Sequence, residues 1–127
     1  MNMFRTGRSG PGRTTVQEAA ARTGHGESGA ADAVLLDVRE PHERQAGHVP
    51  GSVHLPLSLL VAGAALPDRA QARPLVVICR SGSRSRHAAE LLAARGAEAV
   101  DVVGGLRAWA GAGLPVVDAR GRNGTVA

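Results

Sequence analysis

Four short stretches rich in aliphatic residues are separated by polar loops and by segments in which apolar residues recur every three or four positions. Most of these stretches are almost continuously apolar, which is typical of strands covered on both faces. The four predicted strands are residues 33–38, 52–55, 75–79 and 99–103. Because strands that alternate with helices pair in parallel through right-handed crossovers, the pattern predicts an α/β domain of three layers with the sheet in the middle.

Helix signals fill the intervals between these strands. Thr15 and Glu18 match a capping box that begins a short helix. Further along, Ala88, Leu91 and Leu92 form one apolar stripe at helical spacing. The predicted helices cover residues 15–22, 40–46, 57–65, 86–95 and a last segment from 106 to 111 or 113. Each predicted strand is therefore followed by a helix, as crossover connections require.

The two ends of the chain lack this periodicity. Residues 1–13 mix Gly, Ser, Arg and Pro, which predicts a disordered basic tail. One domain is expected over residues 14–117, followed by a flexible C-terminal tail over residues 118–127. A nucleic-acid-binding arm is the alternative for the first segment, but its charges are sparse.

Composition narrows the classes of function. The 127 residues carry a net charge of +4, and they include one Phe, one Trp and no Tyr. A core of small aliphatic side chains offers no aromatic platform for stacking bases, so no nucleic-acid partner is expected. The histidines at positions 48 and 54 have no third ligand nearby in sequence, and no metal site is predicted.

Cysteine usage and hydropathy indicate where such a protein would work. The single cysteine excludes an internal disulfide and suits a reducing cytoplasm, where a free thiol persists. The longest apolar window, residues 55–66, is interrupted by Pro56, Ser58 and Gly63 and is too short to span a bilayer. These features predict a soluble cytoplasmic protein without a membrane partner. No large apolar stripe predicts a dimer, and the oligomeric state stays open.

The candidate chemistry lies in the stretch Cys79-Arg80-Ser81-Gly82-Ser83-Arg84-Ser85. It follows a predicted buried strand and precedes a predicted helix, so its backbone N–H groups should converge at a helix N-terminus, where an anion is favoured. A thiol placed there ionises more readily and becomes a nucleophile. Arginines are disfavoured at this end of a helix, so their presence suggests that they serve a ligand.

A second cluster of charges supports this location. Asp37, Arg39 and Glu40 crowd the carboxyl end of the predicted strand 33–38. In parallel sheets, ligands bind beyond the carboxyl ends of the strands, which is also where Cys79 lies. The prediction of the fold and the prediction of the site therefore agree.

Several motifs make the chain resemble a single-domain rhodanese over residues 15–117. They occur in the family's order: Leu36-Asp37-Val38-Arg39 with Glu40 and Glu43, Gly47-His48-Val49-Pro50-Gly51-Ser52, Leu55-Pro56, the loop Cys79 to Arg84, and Val103-Gly104-Gly105-Leu106 with Trp109. The resemblance implies a five-stranded parallel sheet in which the strand that ends at Cys79 lies beside the strand that ends at Asp37. It also implies sulfurtransferase activity without a cofactor.

In the activity that the resemblance implies, the Cys79 thiolate attacks the outer sulfur of a small anionic donor such as thiosulfate. Sulfite leaves, and cyanide or a thiol then takes the sulfur from the Cys79 persulfide. The backbone N–H groups of residues 80–85 and the hydroxyls of Ser81 and Ser83 are expected to bind the anion. Gly82 leaves room for this cradle, and Arg80 and Arg84 are expected to attract the donor.

Two alternatives concern the nature of the site. A cysteine phosphatase or arsenate reductase needs Cys-x5-Arg, which would place the arginine at position 85, but Ser85 stands there and the loop closes at Arg84. An inactive or redox-sensing rhodanese-like module is the other alternative, although such modules commonly lose the cysteine that is retained here. For Asp37 and Arg39, we expect either a brace beneath the loop or an ion pair with a structural role only.

Overall fold

The structure is a computed structural model that describes residues 11–127. Five strands form one sheet: β1 Arg13–Thr14, β2 Val34–Asp37, β3 Val53–His54, β4 Leu75–Ile78 and β5 Ala99–Val102. Five α-helices accompany them: α1 Val16–Arg22, α2 Pro41–Ala46, α3 Leu57–Val61, α4 Ser83–Ala94 and α5 Gly105–Gly111. A 3-10 turn, Asp68–Ala70, precedes β4.

All strand pairs are parallel, and the strand order is β1-β5-β4-β2-β3. This order confirms the α/β class and the five-stranded parallel sheet. Asp37 at the end of β2 lies opposite Ile78 at the end of β4, and Cys79 follows immediately. The predicted adjacency of the strands that end at Asp37 and Cys79 is therefore confirmed.

The two faces of β4 explain why its sequence is continuously apolar. All four of its residues are at most 1% exposed. Val77 packs in the cluster on one face, which includes Leu92 of α4, and Val76 packs in the cluster on the other face, which includes Trp109 of α5. Two separate apolar cores, one on each side of the sheet, give the predicted three-layer arrangement.

Strand β1, which was not among the four predicted strands, corrects the predicted boundary of the N-terminal tail. Positions 1–10 of that tail lie outside the described residues, but Arg13 belongs to β1 and pairs with Asp101 of β5. A two-residue edge strand has no alternation to read in the sequence. It forms because the N–H of Val103 donates to the Thr14 carbonyl and that of Asp101 to the Gly12 carbonyl.

The C-terminal segment also differs from the flexible tail that was predicted. Its backbone donates hydrogen bonds to the domain, from Ala119 to the Gln45 carbonyl and from Thr125 to the Ala46 carbonyl. These contacts involve only main-chain atoms, which leave no hydrophobic pattern in the sequence. Within the described residues, no helix combines the length and apolar character needed to span a bilayer.

Candidate active site

The Cys79 sulfur lies buried between the end of β4 and the first turn of α4, and the residue is 1% exposed. The backbone N–H groups of Gly82 and Ser85 donate to Sγ at 3.2 Å and 3.3 Å. Helix α4 begins at Ser83, three residues earlier than predicted, so the loop is tighter than expected. Gly82 has φ 109°, a conformation that residues with a side chain rarely adopt.

Ser85 connects the sulfur to a carboxylate that the sequence analysis did not single out. The Cys79 thiol donates to Ser85 Oγ at 3.3 Å, and the Ser85 hydroxyl donates to Asp101 Oδ2 at 3.2 Å. Ser85 is 0% exposed and Asp101, on β5, is 1% exposed. A carboxylate in an otherwise apolar strand is the signal that could have revealed this site, because a buried charge requires a partner.

That partner is Arg13, which the sequence analysis placed in the N-terminal tail. Its Nε donates to Asp101 Oδ1 and its Nη2 to Oδ2, both at 3.0 Å. The hydrogen bond with Asp101 raises the pKa of Arg13. Nη2 also donates to the Gly82 carbonyl at 3.0 Å, so Arg13 ties the edge strand to the Cys79 loop.

Arg84 lies at the start of α4, but its guanidinium is bound to another side chain of the protein. Nη1 and Nη2 donate to Oε1 and Oε2 of Glu43 at 2.6 Å and 2.7 Å, a bidentate pair. The hydrogen bond from Arg84 lowers the pKa of Glu43 to about 2, and the same contact raises the pKa of Arg84. A role for Arg84 in donor binding stays a prediction. The negative charge of Glu43 partly neutralises the positive charge of Arg84.

Asp37 and Arg39 form a buried ion pair behind this contact. Arg39 is 0% exposed and donates to Asp37 Oδ1 and Oδ2 at 3.0 Å and 2.8 Å. It also donates to the carbonyls of Glu43 and Gly47 at the end of α2. The pair therefore supports helix α2, which carries Glu43. Through Glu43 it is connected indirectly to Arg84.

The remaining predicted site residues lie at the surface of the loop. Arg80, Ser81 and Ser83 are exposed, and Arg80 Nε donates to the Ala127 carbonyl at 2.9 Å. Within the described part of the chain, the hydrogen-bond partners of the sulfur are the Gly82 and Ser85 N–H groups and the Ser85 hydroxyl.

Helix α5 closes the loop from the other side. The N–H groups of Leu106 and Arg107 donate to the carbonyls of Cys79 and Arg80 at 2.7 Å and 3.0 Å. A Cβ at Gly105 would lie 2.5 Å from the Cys79 carbonyl oxygen, and Gly105 has φ 59°. Only glycine fits here, which explains the Gly-Gly pair in the predicted motif.

Two cavities among residues 11–127 lie at the opposite edge of the sheet, where the strands begin. They measure about 490 Å³ and 400 Å³ and include Pro74 and Glu98 in one case and Ala33 and Ser52 in the other. These residues precede strands, whereas Cys79 follows one. Neither of these two cavities includes a residue of the loop from Cys79 to Ser85.

Comparison with known proteins shows which proteins this chain is similar to in sequence. The family model described as Rhodanese-like domain matches residues 15–112. A protein of Allochromatium vinosum named sulfurtransferase is 36% identical over 91 residues, which are 71% of this chain and 83% of that protein. Two maize proteins (Zea mays) named adenylyltransferase and sulfurtransferase are 40% and 39% identical over 82 residues, but the match spans only 17% and 18% of their lengths.

Solved structures agree with the fold. A rhodanese-related protein of Thermoplasma volcanium has a TM-score of 0.67 and 30% identity, over 84% of this chain and 97% of that one. A Rhodopseudomonas palustris protein of unknown function, described as a possible tyrosine phosphatase, has a TM-score of 0.71 and 29% identity, over 90% of each chain.

Proposed function

Since the chain belongs to the rhodanese-like domain family, as its motifs predicted, we propose that it is a sulfurtransferase that carries sulfur as a persulfide on Cys79. The observation that carries the proposal is the position of the Cys79 sulfur. It lies at the first turn of α4 and accepts N–H donors from Gly82 and Ser85. Converging backbone donors at a helix N-terminus stabilise an anionic sulfur.

The proposed reaction has two halves. In the first, the Cys79 thiolate attacks the outer sulfur of thiosulfate or a similar donor, a new S–S bond forms, and the old S–S bond breaks with its electron pair on sulfite. In the second, cyanide or a thiolate attacks the outer sulfur of the persulfide, and the electron pair returns to Cys79. Charge is conserved in both halves, and the kinetics should be ping-pong.

The loop offers features that suit a small anionic donor. The exposed Arg80 lies next to the nucleophile, and the N–H groups of Gly82 and Ser85 converge on its sulfur. A reducing cytoplasm would keep the lone thiol free. The identity of the donor, that of the acceptor and the location in the cell are all parts of this proposal.

A phosphatase is the alternative that the likeness to the Rhodopseudomonas palustris protein raises. Its loop arginine would have to be free for a tetrahedral oxyanion. Here the loop closes at Arg84, whose guanidinium binds Glu43 at both nitrogens. A shorter loop with an occupied arginine suits a single sulfur atom better than a phosphate.

Intact mass spectrometry tests the proposal. The protein is incubated with thiosulfate, and its mass is recorded before and after addition of cyanide. We expect a gain of one sulfur that cyanide removes, and no gain in Cys79→Ser. A wild-type protein that never gains sulfur from thiosulfate or a persulfide donor, or turnover of an aryl phosphate that depends on Cys79, would contradict it.

A further inference from the structure

The Ser85 hydroxyl lies between two groups that can each accept its hydrogen bond. Ser85 Oγ lies 3.3 Å from Cys79 Sγ and 3.2 Å from Asp101 Oδ2. A serine has a single O–H, so it can donate to one of them at a time. When the hydroxyl donates to Asp101, the Ser85 oxygen is free to accept the hydrogen bond of the Cys79 thiol.

This orientation of the Ser85 hydroxyl suits a neutral sulfur, whereas the N–H donors of Gly82 and Ser85 suit an anionic one. A thiolate has no proton to donate and needs donors, which stabilise charge more strongly than they stabilise neutral groups. If Cys79 loses its proton, Ser85 gains a stronger acceptor on that side. Because Ser85 Oγ already lies within hydrogen-bond distance of both groups, a rotation about its Cβ–Oγ bond suffices to turn the O–H from the carboxylate to the sulfur.

The Asp101 carboxylate can lose the hydrogen bond from Ser85 because Arg13 also binds it. Arg13 contributes three hydrogen bonds to Asp101, two from Nε and one from Nη2, at 3.0 to 3.3 Å. Asp101 therefore stays paired when Ser85 turns away. Without Arg13, a carboxylate that is 1% exposed would depend on the Ser85 hydroxyl alone among these contacts.

We propose that the Ser85 hydroxyl is a two-position donor, and that Asp101 and Arg13 are the positioning residues that decide between its positions. While the sulfur is a neutral thiol, the hydroxyl donates to Asp101 and accepts from Cys79. When the sulfur becomes an anion, the hydroxyl donates to Cys79 as a third donor beside the N–H groups of Gly82 and Ser85.

The proposal deepens the sulfurtransferase reaction, on which its use in catalysis rests. In the second half-reaction the acceptor attacks the outer sulfur, the S–S bond breaks, and its electron pair goes to Cys79 Sγ. The Ser85 hydroxyl then turns to that sulfur, and the Asp101 carboxylate stays with Arg13. No proton is gained or lost by the group in this step, so atoms and charge balance.

Other charged groups face the same region. They are Arg84 from α4, Glu43 from α2 and Asp37 from β2, and the last two are paired with Arg84 and Arg39. The substitutions below leave all of these charged groups in place. Their effect on Cys79 is therefore the same in every variant compared.

The pH profile of Cys79 alkylation by iodoacetamide tests the proposal, because it needs no sulfur donor. We expect Asp101→Asn to move the profile to lower pH by about one unit, since the hydroxyl becomes free for the thiolate and a like charge is lost. Arg13→Gln should move it to higher pH, since Asp101 then holds the Ser85 proton more firmly. Asp32→Asn, which removes an exposed carboxylate paired with Arg22, is the matched control and should leave the profile unchanged.

A Ser85→Ala background separates the hydroxyl from simple charge effects. If the hydroxyl carries the coupling, both shifts should shrink to less than half in that background. Shifts of equal size with and without Ser85, or an Asp101→Asn profile at unchanged or higher pH, would overturn the proposal. Arg13 is on an edge strand with a side chain 35% exposed, so Arg13→Gln serves if Asp101→Asn does not fold.

The outcome is independent of the proposed function. A wild-type protein that loads no sulfur would contradict the sulfurtransferase proposal and still give an alkylation profile. A protein that loads sulfur but shows no shift in the variants would keep the sulfurtransferase and lose the two-position donor.

Discussion

Arg84 and Glu43 form a bidentate ion pair at 2.6 Å and 2.7 Å across 41 positions of sequence. The pair joins the first turn of α4 to α2, and so it ties the loop of the nucleophile to the neighbouring strand connection. It also places a negative charge next to an arginine that was predicted to attract an anionic donor. Glu43 therefore fixes the Arg84 guanidinium in position but reduces the positive potential around it.

We therefore expect Glu43→Gln to strengthen binding of an anionic donor. The amide keeps a hydrogen bond to Arg84 but removes the negative charge, so the positive potential at the loop rises. The KM for thiosulfate should fall about threefold or more, with a smaller change in kcat. Asp32→Asn changes the net charge equally at the far edge of the sheet and should leave KM unchanged. A KM that stays the same or rises in Glu43→Gln would contradict the expectation.

The same pair predicts a pH dependence of stability. Because the hydrogen bond from Arg84 lowers the pKa of Glu43 from 4.5 to about 2, the carboxylate stabilises the folded state above its unfolded pKa. This contribution, about 1 to 2 kcal/mol after solvent screening of the partly exposed Arg84, should be lost as pH falls from about 4.5 to about 2. Denaturant titrations of wild type and Glu43→Gln should differ near pH 6 and converge near pH 2. Parallel curves over that range would contradict it.

Periodicity in the sequence was sufficient to predict the layers of the fold, because the strands at residues 34–37, 75–78 and 99–102 bury both faces and their sequences show it. It was not sufficient for β1 or for the C-terminal segment. Both are held by main-chain hydrogen bonds, and Arg13 adds a side-chain contact to a residue 88 positions away. Contacts of that kind leave no periodic trace.

The site was predictable to a similar extent. Cys79 and its loop could be identified because a strand, a polar turn and a helix follow one another directly. The partners of the loop, Glu43 and Asp101, could not be paired with it, since α2 and β5 are remote in sequence. A buried carboxylate in β5 signals a partner without saying which one.

Gly105 provides a test of how closely α5 must approach the loop. A Cβ there would lie 2.5 Å from the Cys79 carbonyl oxygen, so Gly105→Ala must displace either α5 or the loop. We expect a loss of about 1 to 3 kcal/mol in unfolding free energy and a clear loss of sulfur loading. Gly113→Ala is the matched control, because Gly113 also has a positive φ of 80° but has no atom within 4 Å of the added Cβ. Equal effects of the two substitutions would show that backbone strain alone is responsible.

Arg39→Met decides between the two roles left open for the buried Asp37–Arg39 pair. Loss of the guanidinium leaves Asp37 with the backbone N–H of residue 39 at 3.0 Å and the contact to Arg44 at 3.4 Å. It also removes the donors to the carbonyls of Glu43 and Gly47. Breaking a buried pair should lower the unfolding free energy by about 3 to 5 kcal/mol, against about 0.5 kcal/mol or less for the exposed pair in Arg22→Met.

Stability alone does not separate the two roles of that pair, so sulfur loading must be measured well below the unfolding transition. If Arg39 braces the loop through α2 and Glu43, the folded Arg39→Met variant should load sulfur severalfold more slowly, because Glu43, the partner of Arg84, is no longer held in place. Loading at the wild-type rate in the folded variant would make the ion pair structural only. The restored stability expected for Asp37→Asn combined with Arg39→Met provides the internal check, since that variant buries no unpaired charge.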